Sequence, residues 1–149
     1  MAKTKKSALL LALEALEREN EKIDKQFDDA PLVGRTLVEL GISENLEGFQ
    51  YLITAITMCV REAALINTVS TTFYSEIAKQ FEVAPQDIEF HIRHAIENAF
   101  SEAPTEKMQS YFEYTIQSGQ IPSNSGFIAM IADVIRLDAR QKARKNANQ

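Results

Sequence analysis

Gln86, Glu89, Phe90, Arg93 and His94 are the side chains whose types and spacing could do chemistry together. Between them Ile88, Ile92, Ala95, Ile96 and Ala99 recur at helical intervals, so a helix over residues 85–100 that buries this stripe presents the five outward. Such a face can read base edges in a major groove. Arg93 can donate two hydrogen bonds to a guanine, Gln86 can pair with an adenine, Glu89 can accept from a cytosine amino group, and Phe90 can pack on a thymine methyl. Glu89 and Arg93 also admit a plainer reading as an i,i+4 surface ion pair of small worth. His91 and His94 lie three apart and could share a metal. Zinc wants three or four ligands, however, and Glu97 and Asn98 are a poor complement with no cysteine in range, so neither a metal nor another cofactor is expected. No Gly-rich phosphate loop, nucleophile elbow or paired Cys/His constellation occurs, and the chain is not expected to be an enzyme.

A helix over residues 85–100 needs a start and a partner. Pro85 supplies the start, because its fixed φ suits the first helical turn and its missing N–H has no partner there. Phe73, Ile77 and Phe81 repeat at helical spacing just before it, and Glu82-Val83-Ala84 interrupts the two runs. Two short amphipathic helices around a tight turn, with Ala78 where they approach, form the pattern of a helix-turn-helix, although the turn lacks the usual glycine.

The flanking sequence reads as further helices. Residues 7–27 carry Leu9, Leu13, Leu16, Ile23 and Phe27 at alternating four and three spacing, with Asn20 as the one polar seam position. This stretch is either a homodimerisation or partner helix, or a helix that folds back on its own domain; a parallel homodimer would set Glu19 against the partner's Asp24. Asp28-Asp29-Ala30-Pro31 is expected to end it and to divide an N-terminal segment, residues 1–29, from the main domain, residues 30–149. A helix over residues 32–40 closed by Gly41 follows. A core spine through Leu46, Phe49, Ile53, Ile56, Val60 and Ala63 comes next. After the helix-turn-helix come a loop over residues 101–105, a short helix over 107–116, and a connection over 118–124. The last helix starts at Ser123 or Ser125 and buries Phe127, Ile128, Ile131, Val134 and Ile135. No strand alternation is visible. The expected fold is all-α: a compact domain of about six helices containing the helix-turn-helix, preceded by the N-terminal helix.

Composition agrees with a soluble globular domain, at 45% hydrophobic and 25% charged residues over 149. The single cysteine, Cys59, excludes an internal disulfide and reads as a buried thiol in a reducing compartment. The apolar run over residues 8–13 is too short to span a bilayer and no signal-peptide cleavage site follows it, so a cytoplasmic protein is expected. The net charge of −5 argues mildly against a nucleic-acid partner, yet its distribution is uneven. Residues 136–145 hold five basic side chains, Arg136, Arg140, Lys142, Arg144 and Lys145, against Asp138 alone, and Lys3, Lys5 and Lys6 form a second cluster. Both ends can touch phosphates, or can simply be solvated.

Four stretches, YSEIAKQF, IRHAIENAF, YFEYTI and above all IPSNSGFIAMIADVIRLD, resemble the C-terminal, DNA-binding effector domain of the stage-zero sporulation response regulators of endospore-forming bacteria. The resemblance covers residues 32–138, about two thirds of the chain. It implies a transcription regulator that binds double-stranded DNA through the helix over residues 85–100. Glu89, Arg93 and His94 match residues the family uses around its operator, and Ile88, Ile92 and Ile96 match its core. Asp87 and Phe90 stand where two arginines are expected. Each good bidentate contact contributes about 1–3 kcal/mol of discrimination, so losing two removes roughly 2–6 of the ~4–10 kcal/mol that separates specific from non-specific binding. Lys79 and Arg93 also face Glu76, Glu82, Asp87, Glu89 and Glu97 across residues 73–100, a net of −3. Phosphate contacts are then expected from Ser123, Asn124 and Ser125 at a helix N-terminus, with Lys79, Arg136 and Arg140 adding charge. Residues 101–115 correspond to the region through which the family contacts the principal sigma factor of RNA polymerase. The family's phosphate-accepting receiver normally lies on the N-terminal side, where no strand alternation or acidic pocket is seen. The alternative is a protein-interaction module of the same fold that has lost specific DNA binding and acts on a sigma factor or a related regulator.

Overall fold

The computed structural model describes residues 7–68 and 72–147, with the side chains of 19–28, 66 and 68 outside the description. These residues form seven α-helices and one 3-10 turn, with no strand among them. The centre of the domain is α2 (Glu47–Arg61), whose buried Phe49, Leu52, Ala55, Ile56 and Cys59 pack it against α1 (Ala8–Glu39), α4 (Pro85–Ser101) and α7 (Asn124–Ala147). Gly48 lets α2 and α4 touch backbone to backbone. A Cβ there would lie 2.8 Å from the Ala95 Cβ and closer still to the His91 carbonyl oxygen.

α1 runs without a break through Pro31, which corrects the expected helix end over residues 28–31. Proline removes one hydrogen bond, at roughly 3 kcal/mol in a helix interior. Helix formers precede it, and Val33, Leu37 and Leu40 beyond it are buried in the core, so both flanks hold the helix across the gap. The division expected between residues 29 and 30 therefore falls inside a helix. At its other end α1 stops as expected: Gly41 takes φ 90°, and the Ile42 N–H donates to the Leu37 carbonyl at 3.0 Å. At the N-terminal end Leu9, Leu13 and Leu16 are exposed, Leu9 by 70%, so this part of the stripe does not fold back on the domain. The side chains of the remaining seam positions Asn20, Ile23 and Phe27 and of Glu19 and Asp24 lie outside the description, as does the whole Lys3, Lys5 and Lys6 cluster.

Three other boundaries differ from expectation. α2 ends at Arg61, and Ala63 belongs to the 3-10 turn Ala63–Thr68. α4 extends to Ser101, one residue into the expected loop. In place of one helix over 107–116 there are two, α5 (Glu106–Tyr111) and α6 (Glu113–Gln117), broken at Phe112 with φ −124° and ψ 30°. That break turns the Phe112 ring into the core, where it stacks on Phe127 at 5.5 Å. Burying a large ring outweighs one turn of helical continuity. Ser123 caps α7, its hydroxyl accepting from the Gly126 N–H at 3.0 Å, which decides between Ser123 and Ser125. Among the described residues no helix is long and apolar enough to cross a membrane.

Candidate nucleic-acid interface

α3 (Thr72–Phe81) and α4 form the helix-turn-helix. Phe73, Ile77 and Ala78 of the first helix and Ile88, Ile92, Ala95, Ile96 and Ala99 of the second are buried, as the spacing predicts, and Tyr74, which the spacing does not single out, is buried with them. Phe81 sits at the margin, with its ring edge-on to Tyr51 at 4.8 Å. The turn does what a glycine normally does there with a different residue. Glu82 takes φ 56°, and the Val83 N–H reaches back to the Ala78 carbonyl at 3.1 Å.

With the isoleucines inward, Gln86, Glu89, Phe90 and His94 are exposed along the outer face of α4, Phe90 by 65%. Phe90 and His94 lie parallel, with ring centroids 6.4 Å apart. His91 turns the other way, and its Nε2 lies 3.0 Å from Glu47 Oε2 of α2. The two histidines thus diverge, and among the described residues no three His, Cys, Asp or Glu side chains converge as metal ligands.

Arg93 is half-buried and already engaged. Its Nε donates to Glu97 Oε1 at 2.8 Å and its Nη1 to the Pro122 carbonyl at 2.6 Å. The ion pair therefore runs forward to Glu97, and the alternative Glu89–Arg93 pair is not formed. The Pro122 contact brings the start of α7 beside α4. Asn124 makes a second tie, its Nδ2 donating to the Glu89 carbonyl and to the Tyr74 hydroxyl, each at 3.2 Å. Burial raises the Tyr74 phenol above its ordinary range, and the Asn124 hydrogen bond works against that shift. Ser123 and Ser125 stand at the same helix end with their hydroxyls 3.4 Å apart.

The other predicted phosphate contacts are placed differently. Lys79 is exposed on α3 and pairs with Glu76 at 3.3 Å. Arg136 donates from Nη1 to the Cys59 carbonyl and from Nη2 to Asp133, which makes it a cap on the C-terminal end of α2. Arg140 is exposed, but at 1.5 Å per residue it lies roughly 24 Å along α7 from Asn124. The structure thus gathers Gln86, Glu89, Phe90, Arg93 and His94 with Ser123, Asn124 and Ser125, and leaves Arg136 and Arg140 elsewhere. Sequence reasoning missed Tyr74, Glu97 and the Pro122 carbonyl. Tyr74 and Glu97 stood within the motifs quoted, whereas a backbone carbonyl carries no sequence signal.

This architecture meets an independent finding. A family model described as "Sporulation initiation factor Spo0A C terminal" matches residues 33–135, the span from the buried part of α1 to the Ile135 turn of α7. That family is a DNA-binding transcription-factor domain rather than an enzyme family. A match over that much of the chain, on a helical domain whose helix-turn-helix is intact, means that the chain belongs to the C-terminal, DNA-binding effector-domain family of the sporulation initiation factor.

Proposed function

We propose that this chain is a transcription regulator that reads double-stranded DNA through the outer face of α4 with contacts re-specified relative to its family. The observation that supports it is the joining of Gln86, Glu89, Phe90, Arg93 and His94 to the N-terminus of α7 by the Arg93–Pro122 and Asn124–Glu89 hydrogen bonds. A helix N-terminus carries free N–H groups and partial positive charge, so Ser123 and Ser125 offer phosphate a site beside an otherwise acidic helix. Phosphate contacts then orient the domain while the α4 side chains read bases, and Lys79 adds charge on α3. Asp87 and Phe90, where two arginines are expected, shift the preferred operator away from the family's.

Fluorescence anisotropy of labelled duplexes at two salt concentrations tests this. The family's operator, a library enriched over several rounds and a scrambled control are compared. Enrichment of a distinct motif, with a log–log salt slope reporting several phosphate contacts, is the expected result. Absence of enrichment, with weak salt-labile binding only, removes the reading.

A second reading is favoured by Phe90, an aromatic ring 65% exposed on a helix-turn-helix of net negative charge. Exposed aromatics serve protein contacts well. Under this reading the domain binds a sigma factor or a related regulator, and Phe90→Ser abolishes partner capture while leaving any DNA retention intact. We also assign a partner-binding role to residues 7–27, whose exposed Leu9, Leu13 and Leu16 suit a helix laid in an apolar groove or a second copy of the chain. A sigma-factor contact through residues 101–115 is supported by Tyr114 within that segment, which is 85% exposed on α6.

A further inference from the structure

Asn124 sits where a phosphate ligand is expected, yet its amide faces inward. A primary amide has two N–H donors, and here they serve the Glu89 carbonyl of α4 and the Tyr74 hydroxyl of α3, both at 3.2 Å. Its Oδ1 is buried with no hydrogen-bond partner among the described residues. An unpartnered buried carbonyl is destabilising, so folding alone does not favour asparagine here. What asparagine supplies is two donors in one plane, able to hold both helices of the helix-turn-helix at once. Ser123, one residue earlier, already caps α7, so Asn124 is not needed as a cap. The second tie falls just before the cap, where Arg93 Nη1 meets the Pro122 carbonyl at 2.6 Å.

We infer that Asn124 is a positioning residue. Together with Tyr74 it fixes the spacing between the base-reading face of α4 and the phosphate-binding N-terminus of α7, so that both engage one DNA site in a single register. The inference rests on the DNA-reading function proposed above. Functional groups need their geometry held by a supporting shell, and loss of one such hydrogen bond corresponds to about a three- to tenfold change in an equilibrium constant.

The experiment compares the full chain with Asn124→Ala and Tyr74→Phe on the enriched and scrambled duplexes across a salt series, with circular dichroism alongside. Tyr74 is buried and cannot touch DNA, so any effect of Tyr74→Phe on binding passes through position. We expect each variant to lose about three- to tenfold in the enriched-to-scrambled affinity ratio, with helicity unchanged and with little effect on the scrambled duplex. Wild-type ratios in both variants overturn the inference while leaving the DNA reading intact. An equal loss on both duplexes in Asn124→Ala, with Tyr74→Phe unaffected, also overturns it and makes Asn124 a direct phosphate contact. A wild-type chain with no sequence preference removes the DNA reading and the inference together. If Asn124→Ala loses helicity, Tyr74→Phe decides alone, because it keeps the ring and its packing.

Discussion

Three residues have environments that their type alone would not choose. Glu82 takes a left-handed conformation that costs an ordinary side chain about 1–2 kcal/mol. Glycine removes that strain but gives the unfolded chain about 0.4–1 kcal/mol more entropy. Glu82→Gly should therefore stabilise the domain by about 0.5–1 kcal/mol, read as a shifted urea midpoint at constant m. Thr57 is buried and its Oγ1 has no hydrogen-bond partner among the described residues. Thr57→Val removes that desolvation penalty at nearly constant shape and should raise stability by about 1 kcal/mol in the same titration. Burial pushes the Cys59 thiol from its ordinary 9.0 to about 11, with the nearby Arg136 charge opposing the shift. Above pH 9 the unfolded chain releases this proton and the folded chain keeps it, so stability falls as pH rises from about 9 to about 11. Cys59→Ala should flatten that part of the profile, and native Cys59 should resist alkylation at neutral pH.

At the scale of elements, the position of α4 depends on how closely α2 approaches it. The pair meets at Gly48, and a methyl group there strikes the His91 carbonyl, which cannot move without distorting α4. Gly48→Ala should destabilise the fold by about 1–3 kcal/mol or more in denaturant titration. Because His91 adjoins Phe90 and Glu89, the same variant should also disturb DNA recognition beyond its effect on stability. The C-terminal end of α2 is held in turn by Arg136 of α7, so the helix that carries the proposed phosphate site also closes the spine of the domain. This explains why a basic residue expected on DNA is structural: the last carbonyls of α2 needed a donor, and α7 passes beside them.

For the molecule as a whole, the contrast lies between the core domain and the N-terminal half of α1. Val33, Leu37 and Leu40 are buried, whereas Leu9, Leu10, Leu11, Leu13 and Leu16 are exposed. Their replacement should therefore affect association and leave folding alone. Leu9→Gln/Leu13→Gln/Leu16→Gln should keep the thermal midpoint within about 6 °C, since surface substitutions usually change stability by less than ~0.5 kcal/mol each. Light scattering at several concentrations should show less self-association if a second copy covers these leucines. No change in mass, together with lost binding to a purified partner, assigns them to that partner.

The sequence by itself determined the helical class, the helix-turn-helix and its core, because helical periodicity and burial of the same apolar face are local consequences of residue type. Ile88, Ile92 and Ile96 could be assigned inward from spacing alone, and Gln86, Glu89, Phe90 and His94 outward by complement. The motifs also sufficed to place the chain in its family. Only the tertiary structure decided where polar groups find partners. It sent Arg93 to Glu97 and Pro122, Arg136 to the end of α2 and Asn124 inward to Tyr74 and Glu89, contacts whose partners lie up to 77 residues apart. It likewise carried α1 through Pro31 and broke the helix at Phe112, since packing on distant residues outweighed a local breaker in one case and a local helix pattern in the other. Local propensity acts within a turn of helix, whereas a backbone carbonyl or a ring pocket exists only once the chain has folded around it.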